Sequence, residues 1–188
     1  MIYTNFEDIP KDKYKVVLSD CPWAFTTYSS KGKEKAPEKH YSTMSLEDIK
    51  ALPVSSVMLK DAVHYEWVYN PMLPQGLEVM DAWGFEYKTL AFNWRKLTVT
   101  GKEAFGLGYF TRAASELCFL GTKGKPGRPK KPWNVRQLVN AEVKEHSQKP
   151  ECVYERIEAM YDGPYLELFA RNERPGWDSF GNEVTKYS

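Results

Sequence analysis

Hydrophobic positions along the chain fall into short uninterrupted runs separated by polar stretches. Residues 16–18 form such a run between polar flanks, which is typical of a strand buried on both faces of a parallel sheet. Similar runs predict strands at residues 62–69, 87–94, 116–120 and 165–170. The pattern therefore predicts at least five strands.

Apolar residues at helical spacing predict three helices between these strands. The first is capped by Ser45 and ended by Pro53, the second begins near Pro71 and ends at Gly84, and the third begins at Pro150. Their buried faces are predicted to carry Ile49 in the first helix, Leu73, Leu77, Met80 and Trp83 in the second, and Val153, Ile157 and Met160 in the third. Strands alternating with helices predict one α/β domain over residues 1–188, with a mostly parallel sheet and helices on both faces.

Two polar segments are predicted to be flexible loops. Residues 26–39 are rich in Ser, Lys, Gly and Pro, and residues 123–134 are basic and contain no apolar residue before Trp133. The second loop contains Pro126-Gly127-Arg128-Pro129, which is similar to the core of an A·T-hook. The simpler interpretation is a tether whose Lys125 and Arg128 hold nucleic-acid phosphates without reading sequence.

Composition narrows the class of protein. The 188 residues carry a formal net charge of +1, so contact with a polyanion must be local. Three cysteines, distant in sequence, fit neither a disulfide framework nor a site of paired zinc thiolates, and no metal is expected. The absence of a long apolar run and of an apolar leader predicts a cytoplasmic protein without a membrane partner.

The segment Asp20-Cys21-Pro22-Trp23 directly follows the first predicted strand, where α/β sheets bind ligands. It offers a carboxylate, a main-chain carbonyl and an aromatic plane. These groups suit an exocyclic amine such as that of adenine, whose lone pair is delocalised into the ring. A carboxylate and a carbonyl that each accept an N–H favour a tetrahedral nitrogen, while an indole stacks on the base. The alternative is an ordinary strand-to-loop turn.

The chain resembles the MT-A70 family of adenine methyltransferases, and compact bacterial and bacteriophage members most of all. The resemblance spans residues 16–184 and rests on eight segments in family order: Asp20-Cys21-Pro22-Trp23, His40-Tyr41-Ser42-Thr43-Met44-Ser45, Glu66-Trp67-Val68, Ala82-Trp83-Gly84-Phe85, Ser115-Glu116-Leu117-Cys118, Glu145-His146-Ser147-Gln148-Lys149-Pro150, Glu167-Leu168-Phe169-Ala170-Arg171 and Gly181-Asn182. It implies a circularly permuted, Rossmann-like class I methyltransferase fold, S-adenosylmethionine as methyl donor, and adenine N6 in DNA, or secondly RNA, as acceptor. The host would be a bacterial or phage-infected cell.

The same resemblance assigns roles to individual residues. It places Asp20, Cys21, Pro22 and Trp23 at the target amine. It places Tyr41, Glu116 and Ser147 on the substrate side. The cofactor residues it implies are Asp20, Lys149 beside the methionine carboxylate, and Arg171 and Asn182 beside the ribose and adenine.

The sequence also departs from the family pattern. Cys21 stands where the family has proline, and Glu183 stands where larger relatives have glutamine. Glu66 interrupts an apolar strand, either at a surface edge or as a site residue, whereas His64 is expected to be packed or on the surface. A catalytically inactive nucleic-acid-binding relative and a protein glutamine-amide methyltransferase are the alternatives. A monomer or homodimer is expected, with a possible separate target-recognition partner.

Overall fold

The computed structural model describes residues 1–24, 43–106, 110–130, 134–144 and 148–182. Its strands are β1 (Ile2–Tyr3), β2 (Tyr14–Ser19), β3 (Met58–Val68), β4 (Glu86–Leu97), β5 (Ser115–Lys123), β6 (Leu138–Glu142), β7 (Tyr165–Leu168) and β8 (Trp177–Phe180). Its helices are α1 (Leu46–Ala51), α2 (Val54–Val57), α3 (Leu73–Ala82) and α4 (Glu151–Met160), with short 3-10 turns at Phe6–Asp8 and Asn70–Met72.

All eight strands form one sheet in the order β1-β8-β7-β2-β3-β5-β4-β6. Every neighbouring pair is parallel except β3 with β5 and β5 with β4. The strand β5 is therefore reversed relative to the other seven. Its first residues lie at the carboxyl edge of the sheet, and its last residues lie at the amino edge.

Alternation of side chains along β2 builds the two layers of the core. Val17 packs with Ile49, Val79 and other residues of the cluster under α1, α2 and α3. Val16 and Leu18 pack on the opposite face of the sheet, in the cluster that contains Val153 and Ile157 of α4. Because both faces are buried, the strand reads as an uninterrupted apolar run.

The predicted fold class is confirmed, as are all five predicted strands and all three predicted helices. Ser45 caps α1, its Oγ accepting the Asp48 N–H at 3.1 Å. Within α3 the prediction was wrong for Leu77, which is exposed, while Gly76 is buried with its α-carbon against Val68. The edge strands β1 and β6, the strand β8 beside β1, and the reversal of β5 were not predicted.

The basic segment after β5 follows the amino edge of the sheet. Its side chains at Lys125 and Arg128 are exposed, as expected for a surface loop. The predicted loop at residues 26–39 lies outside the described residues, as do residues 131–133 of the second loop. In the part of the chain that the structure describes, no helix has the length and apolar character needed to cross a membrane.

Candidate active site at the carboxyl edge of the sheet

Charged side chains from five segments meet at the carboxyl edge of the sheet. Asp20 follows β2, and Arg171 follows the neighbouring strand β7. Glu116 is brought to the same edge because β5 begins there, and Lys96 lies near the end of β4. Lys149 directly precedes the proline that caps α4. Residues far apart in sequence thus form one cluster.

The Asp20 segment is fixed by main-chain hydrogen bonds. The Trp23 N–H donates to the Cys21 carbonyl at 2.9 Å, and the Met44 N–H donates to the Pro22 carbonyl at 2.9 Å. Trp23 and Met44 form an isolated parallel bridge, and the Trp23 indole is buried in the core cluster under α1. Burial raises the pKa of the Cys21 thiol well above its ordinary value, so this cysteine is a packed thiol and not a reactive one. The Asp20 carboxylate keeps 22% of its surface exposed.

Two lysines and two carboxylates alternate across the cluster. Lys96 Nζ lies 2.5 Å from Glu116 Oε1, and Lys149 Nζ lies 3.4 Å from Glu116 Oε2 and 2.7 Å from Asp20 Oδ2. Burial opposes the charge on Glu116, but Lys149 and Lys96 outweigh it and lower the pKa of that carboxyl to about 2. Burial alone would lower the pKa of Lys149, but the carboxylates of Asp20 and Glu116 outweigh burial, so the pKa of Lys149 is raised. Glu116 and Lys149 are therefore both charged at neutral pH.

A cavity of about 120 Å³ opens beside Asp20, between the strand ends and α4. Its lining includes Asp20, Trp67, Lys149, Tyr154, Glu167 and Arg171. The Lys149 ammonium lies 5.7 Å from the centre of the Trp67 ring. Cationic and anionic groups thus share one wall of the cavity with an aromatic face.

Glu167 reaches the cavity from β7, where it pairs with Leu18 of β2. The Tyr154 hydroxyl of α4 donates a hydrogen bond of 2.8 Å to Glu167 Oε1. Burial raises the pKa of Glu167 to about 7, although the hydrogen bond from Tyr154 opposes that rise. A carboxyl group in this state is able to donate or to accept a hydrogen bond near neutral pH.

His64 and Glu66 lie on the other face of β3, below the Asp20 segment. His64 Nε2 is 2.8 Å from Ser19 Oγ, and burial lowers the pKa of this imidazole to about 3. Both oxygens of Glu66 are buried and have no hydrogen-bond partner among the described residues, and burial raises the pKa of Glu66 well above its ordinary value. Of the two alternatives for Glu66, the surface edge position is therefore wrong. His64 is packed, as expected.

The structure brings together four of the residues singled out in the sequence: Asp20, Glu116, Lys149 and Arg171. Trp23 and Asn182 are not among the described residues that line the cavity, because the Trp23 indole is buried in the core and Asn182 is an exposed residue beyond β8. Tyr41 and Ser147 lie outside the described residues. Lys125 and Arg128 lie at the opposite edge of the sheet.

From the sequence, no role was assigned to four residues of the site: Lys96, Trp67, Tyr154 and Glu167. Lys96 carried no local signal, since its partner Glu116 is on another strand. Tyr154 follows Val153 in the third predicted helix, and Glu167 opened a segment of the family resemblance, so both were visible but given no role. In the described ranges, no group of His, Cys, Asp and Glu is arranged to hold a metal ion.

A mostly parallel sheet with a charged cavity at its carboxyl edge has the architecture of a Rossmann-like methyltransferase domain. The MT-A70 family model matches residues 14–183, and the chain belongs to the MT-A70 family. The predicted resemblance and the predicted methyltransferase class are thereby confirmed.

Named relatives cover nearly the whole chain. A type II methyltransferase, M.MunI from Mycoplasma sp, is 30% identical over 95% of this chain and 81% of its own length. The human N(6)-adenine-specific methyltransferase METTL4 is 29% identical over 93% of this chain, and the human N(6)-adenosine-methyltransferase catalytic subunit METTL3 is 27% identical over 92%. The chain spans only 38% and 28% of these two human proteins.

Proposed function

We propose that this chain transfers a methyl group from S-adenosylmethionine to the exocyclic N6 of adenine in DNA, with RNA as the second choice. The observation that carries the proposal is the Asp20 carboxylate, which is held by Lys149 at the mouth of a charged cavity. M.MunI, a relative of comparable length, is named a type II methyltransferase, and the two human relatives are named for methylation of N6 of adenine and of adenosine. A type II designation favours DNA.

The charged and polar side chains that line the cavity match the polar groups of S-adenosylmethionine, but the cavity is smaller than the whole cofactor. About 120 Å³ is less than the roughly 300 Å³ of a small-ligand pocket, so this wall accounts for one end of the cofactor. That end has an amine and a carboxylate, which match Asp20 and Lys149. Arg171 and Glu167 are placed to bind hydroxyl groups farther along the same wall. Bound there, S-adenosylmethionine supplies a methyl group on a sulfonium, which is an excellent leaving group.

We assign Asp20 to the binding of the target amine. Its Oδ2 is engaged by Lys149 at 2.7 Å, so Oδ1 is the oxygen that accepts an N–H of the adenine. The second N–H is assigned to the Cys21 carbonyl, which accepts one hydrogen bond from the Trp23 N–H and has a second lone pair. Two acceptors on one planar nitrogen favour the tetrahedral geometry that develops as it attacks, and Asp20 then takes the surplus proton.

Glu116 is assigned to orientation of the base. It is ionised, only 20% of its side chain is exposed, and it is joined to two lysines, so its carboxylate is held in one position. When Lys149 binds the cofactor carboxylate in addition to Asp20, Lys96 still neutralises Glu116. An adenine inside a duplex does not reach this cluster, so the base must be flipped out or belong to a single strand.

The test is replacement of Asp20 by its neutral isostere. We expect Asp20→Asn to lower kcat by about 100-fold to 1,000-fold, the range found when one transition-state contact is removed, with cofactor affinity changed far less. Asp81→Asn, on the exposed face of α3, is the matched control and should retain wild-type turnover. Turnover of Asp20→Asn close to that of wild type would overturn the assignment.

A further inference from the structure

Lysine and arginine side chains accumulate at the amino edge of the sheet, at the opposite end of the strands from Asp20. Lys13 and Lys15 lie at the start of β2, Lys60 lies near the start of β3, and Lys123 ends the reversed strand β5. These three strands are neighbours in the sheet, so their basic ends lie side by side. We call the full set the basic edge, made up of Lys11, Lys13, Lys15, Lys60, Lys123, Lys125, Arg128 and Lys130.

The loop after β5 is tied across this edge at several points. The Lys125 N–H donates to Asp61 of β3 at 2.7 Å, and Lys15 Nζ of β2 donates to the Pro126 carbonyl at 3.2 Å. Farther along, the Lys130 N–H donates to the Met160 carbonyl at the end of α4 at 2.7 Å. The loop therefore crosses β3 and β2 toward α4, and it holds its basic side chains over the strand ends.

The basic edge keeps an excess of positive charge after its internal ion pairs are counted. The carboxylates on neighbouring segments include Asp12, Asp61, Asp162 and Asp178, and also Glu86 at the start of β4, which is paired with Lys88. Asp178 is paired with Lys13, and Asp162 is paired with Lys130. No hydrogen bond or ion pair joins the side chain of Lys11, Lys60 or Lys125 to another residue in the described ranges, and all three are exposed. In a chain whose net charge is +1, this is a local concentration of the kind that binds phosphates.

The basic edge is too far from Asp20 to touch the target nucleotide. Lys15 and Asp20 are separated by the length of β2, which is about 17 Å at roughly 3.3 Å per strand residue. In B-DNA that distance corresponds to about five base pairs, at roughly 3.4 Å per base pair. A phosphate that reaches the basic edge therefore belongs to flanking nucleic acid.

We propose that the basic edge is a second nucleic-acid-binding surface, which holds the phosphate backbone about five base pairs from the methylated adenine. The proposal rests on the proposed function for the nature of the partner. It predicts that binding depends on substrate length and that the contribution of the basic edge carries no sequence preference. Methyl transfer to a short substrate does not need this surface.

The test compares two DNA lengths by fluorescence anisotropy, without any methyl transfer. One probe is a 30-base-pair duplex with a central adenine, and the other is a seven-base-pair duplex closed by a covalent linker, which ends about 10 Å from its central base. The variant Lys11→Ser/Lys60→Ser/Lys125→Ser removes three charges whose side chains make no hydrogen bond or ion pair to any described residue. The matched control replaces the same three lysines by arginine and so retains the charge.

For the long duplex we expect the plot of log affinity against log salt to be less steep for the serine variant. The magnitude of its slope should be smaller by about two to three, at roughly 0.9 per lost phosphate contact. The arginine control should keep the wild-type slope, and the short duplex should bind all three proteins alike. An unchanged slope on the long duplex, or an equal loss on both lengths, would overturn the proposal. Absence of methyl transfer would count against the proposed function and not against this surface, because the readout is binding alone.

Discussion

Replacement of Lys149 by methionine is the most informative perturbation of the cofactor side. Methionine keeps most of the aliphatic packing against Trp67 and removes the ammonium that lies 2.7 Å from Asp20 and 3.4 Å from Glu116. The Lys149 side chain is only 10% exposed, so water does not replace the lost charge. The proposed function therefore predicts weaker cofactor binding and little change in secondary structure.

The magnitude follows from the kind of bond removed. A buried hydrogen bond between charged groups contributes about 1.5–3 kcal/mol, and each 1.4 kcal/mol is a factor of ten in Kd. Because Lys149 already has two carboxylate partners, a cofactor carboxylate has to compete with them, and the lower part of that range applies. We expect the Kd to rise about 10-fold to 30-fold.

Calorimetric titration with S-adenosylhomocysteine measures this Kd without turnover. The control is Lys102→Met, which removes an exposed lysine of the connection between β4 and β5 and should leave the Kd unchanged. Lys149→Arg should recover part of the affinity, since it restores the charge with a different shape. If the Lys149→Met protein is folded and binds within about threefold of wild type, Lys149 serves Asp20 and Glu116 alone, and its assignment to the cofactor is refuted.

Three further predictions concern groups around the site and the sheet edge. Glu66→Leu should raise the free energy of unfolding by about 1–3 kcal/mol in urea titrations, because it removes a buried carboxyl group that has no hydrogen-bond partner in the part of the chain that the structure describes. Lost turnover in a stable variant would instead make Glu66 a site residue. The pKa of Glu167 is raised to about 7, so the folded state retains a proton that the unfolded state loses above about pH 4.5, and stability falls by up to about 3 kcal/mol as pH rises from 4.5 to 7. Glu167→Gln should remove that slope, and parallel pH profiles of the two proteins would contradict it. Burial raises the pKa of Asp178, but hydrogen bonds from Lys13, the terminal amine and Tyr14 outweigh this effect and lower the pKa to about 2. Asp178→Asn should therefore lower the free energy of unfolding by about 1–2 kcal/mol at pH 7, after solvent screening is allowed for. This cost should vanish as the pH falls from about 4 to 2, and a cost that persists at pH 2 would show that it does not come from the charge.

The fold was predictable wherever burial is strong. The interior strands β2 and β3 are buried on both faces, so they appear in the sequence as apolar runs. The edge strand β1 has two residues, and β6 at the other edge has one fully buried side chain among five, so neither leaves a pattern. The direction of β5 was not predictable either, because side-chain alternation is the same in parallel and antiparallel strands.

That unpredicted reversal also explains where the basic loop lies. Had β5 been parallel to β3, the residues after Lys123 would emerge at the carboxyl edge, beside Asp20. Because β5 is antiparallel, Lys125 and Arg128 lie at the amino edge. The composition of the loop indicated an affinity for phosphate, but its position depends on a pairing that is not local in sequence.

The candidate site was predicted in part for a similar reason. Asp20, Glu116, Lys149 and Arg171 followed from family motifs, which record residues that converge in space. The contact between Lys96 and Glu116 arises from the register of β4 and β5, in which Trp94 is opposite Glu116 and Lys96 lies two residues farther along. No spacing in the sequence encodes that register.

The most direct test of the central claim is the chemical identity of the methylated product. The chain is incubated with S-adenosylmethionine carrying a labelled methyl group and with DNA, RNA or a glutamine-containing peptide, and digested products are separated beside standards. The account predicts label in N6-methyldeoxyadenosine with the wild-type chain and its near absence with Asp20→Asn. Label on another base or on the peptide, or cofactor binding without labelled adenine in either nucleic acid, would contradict it.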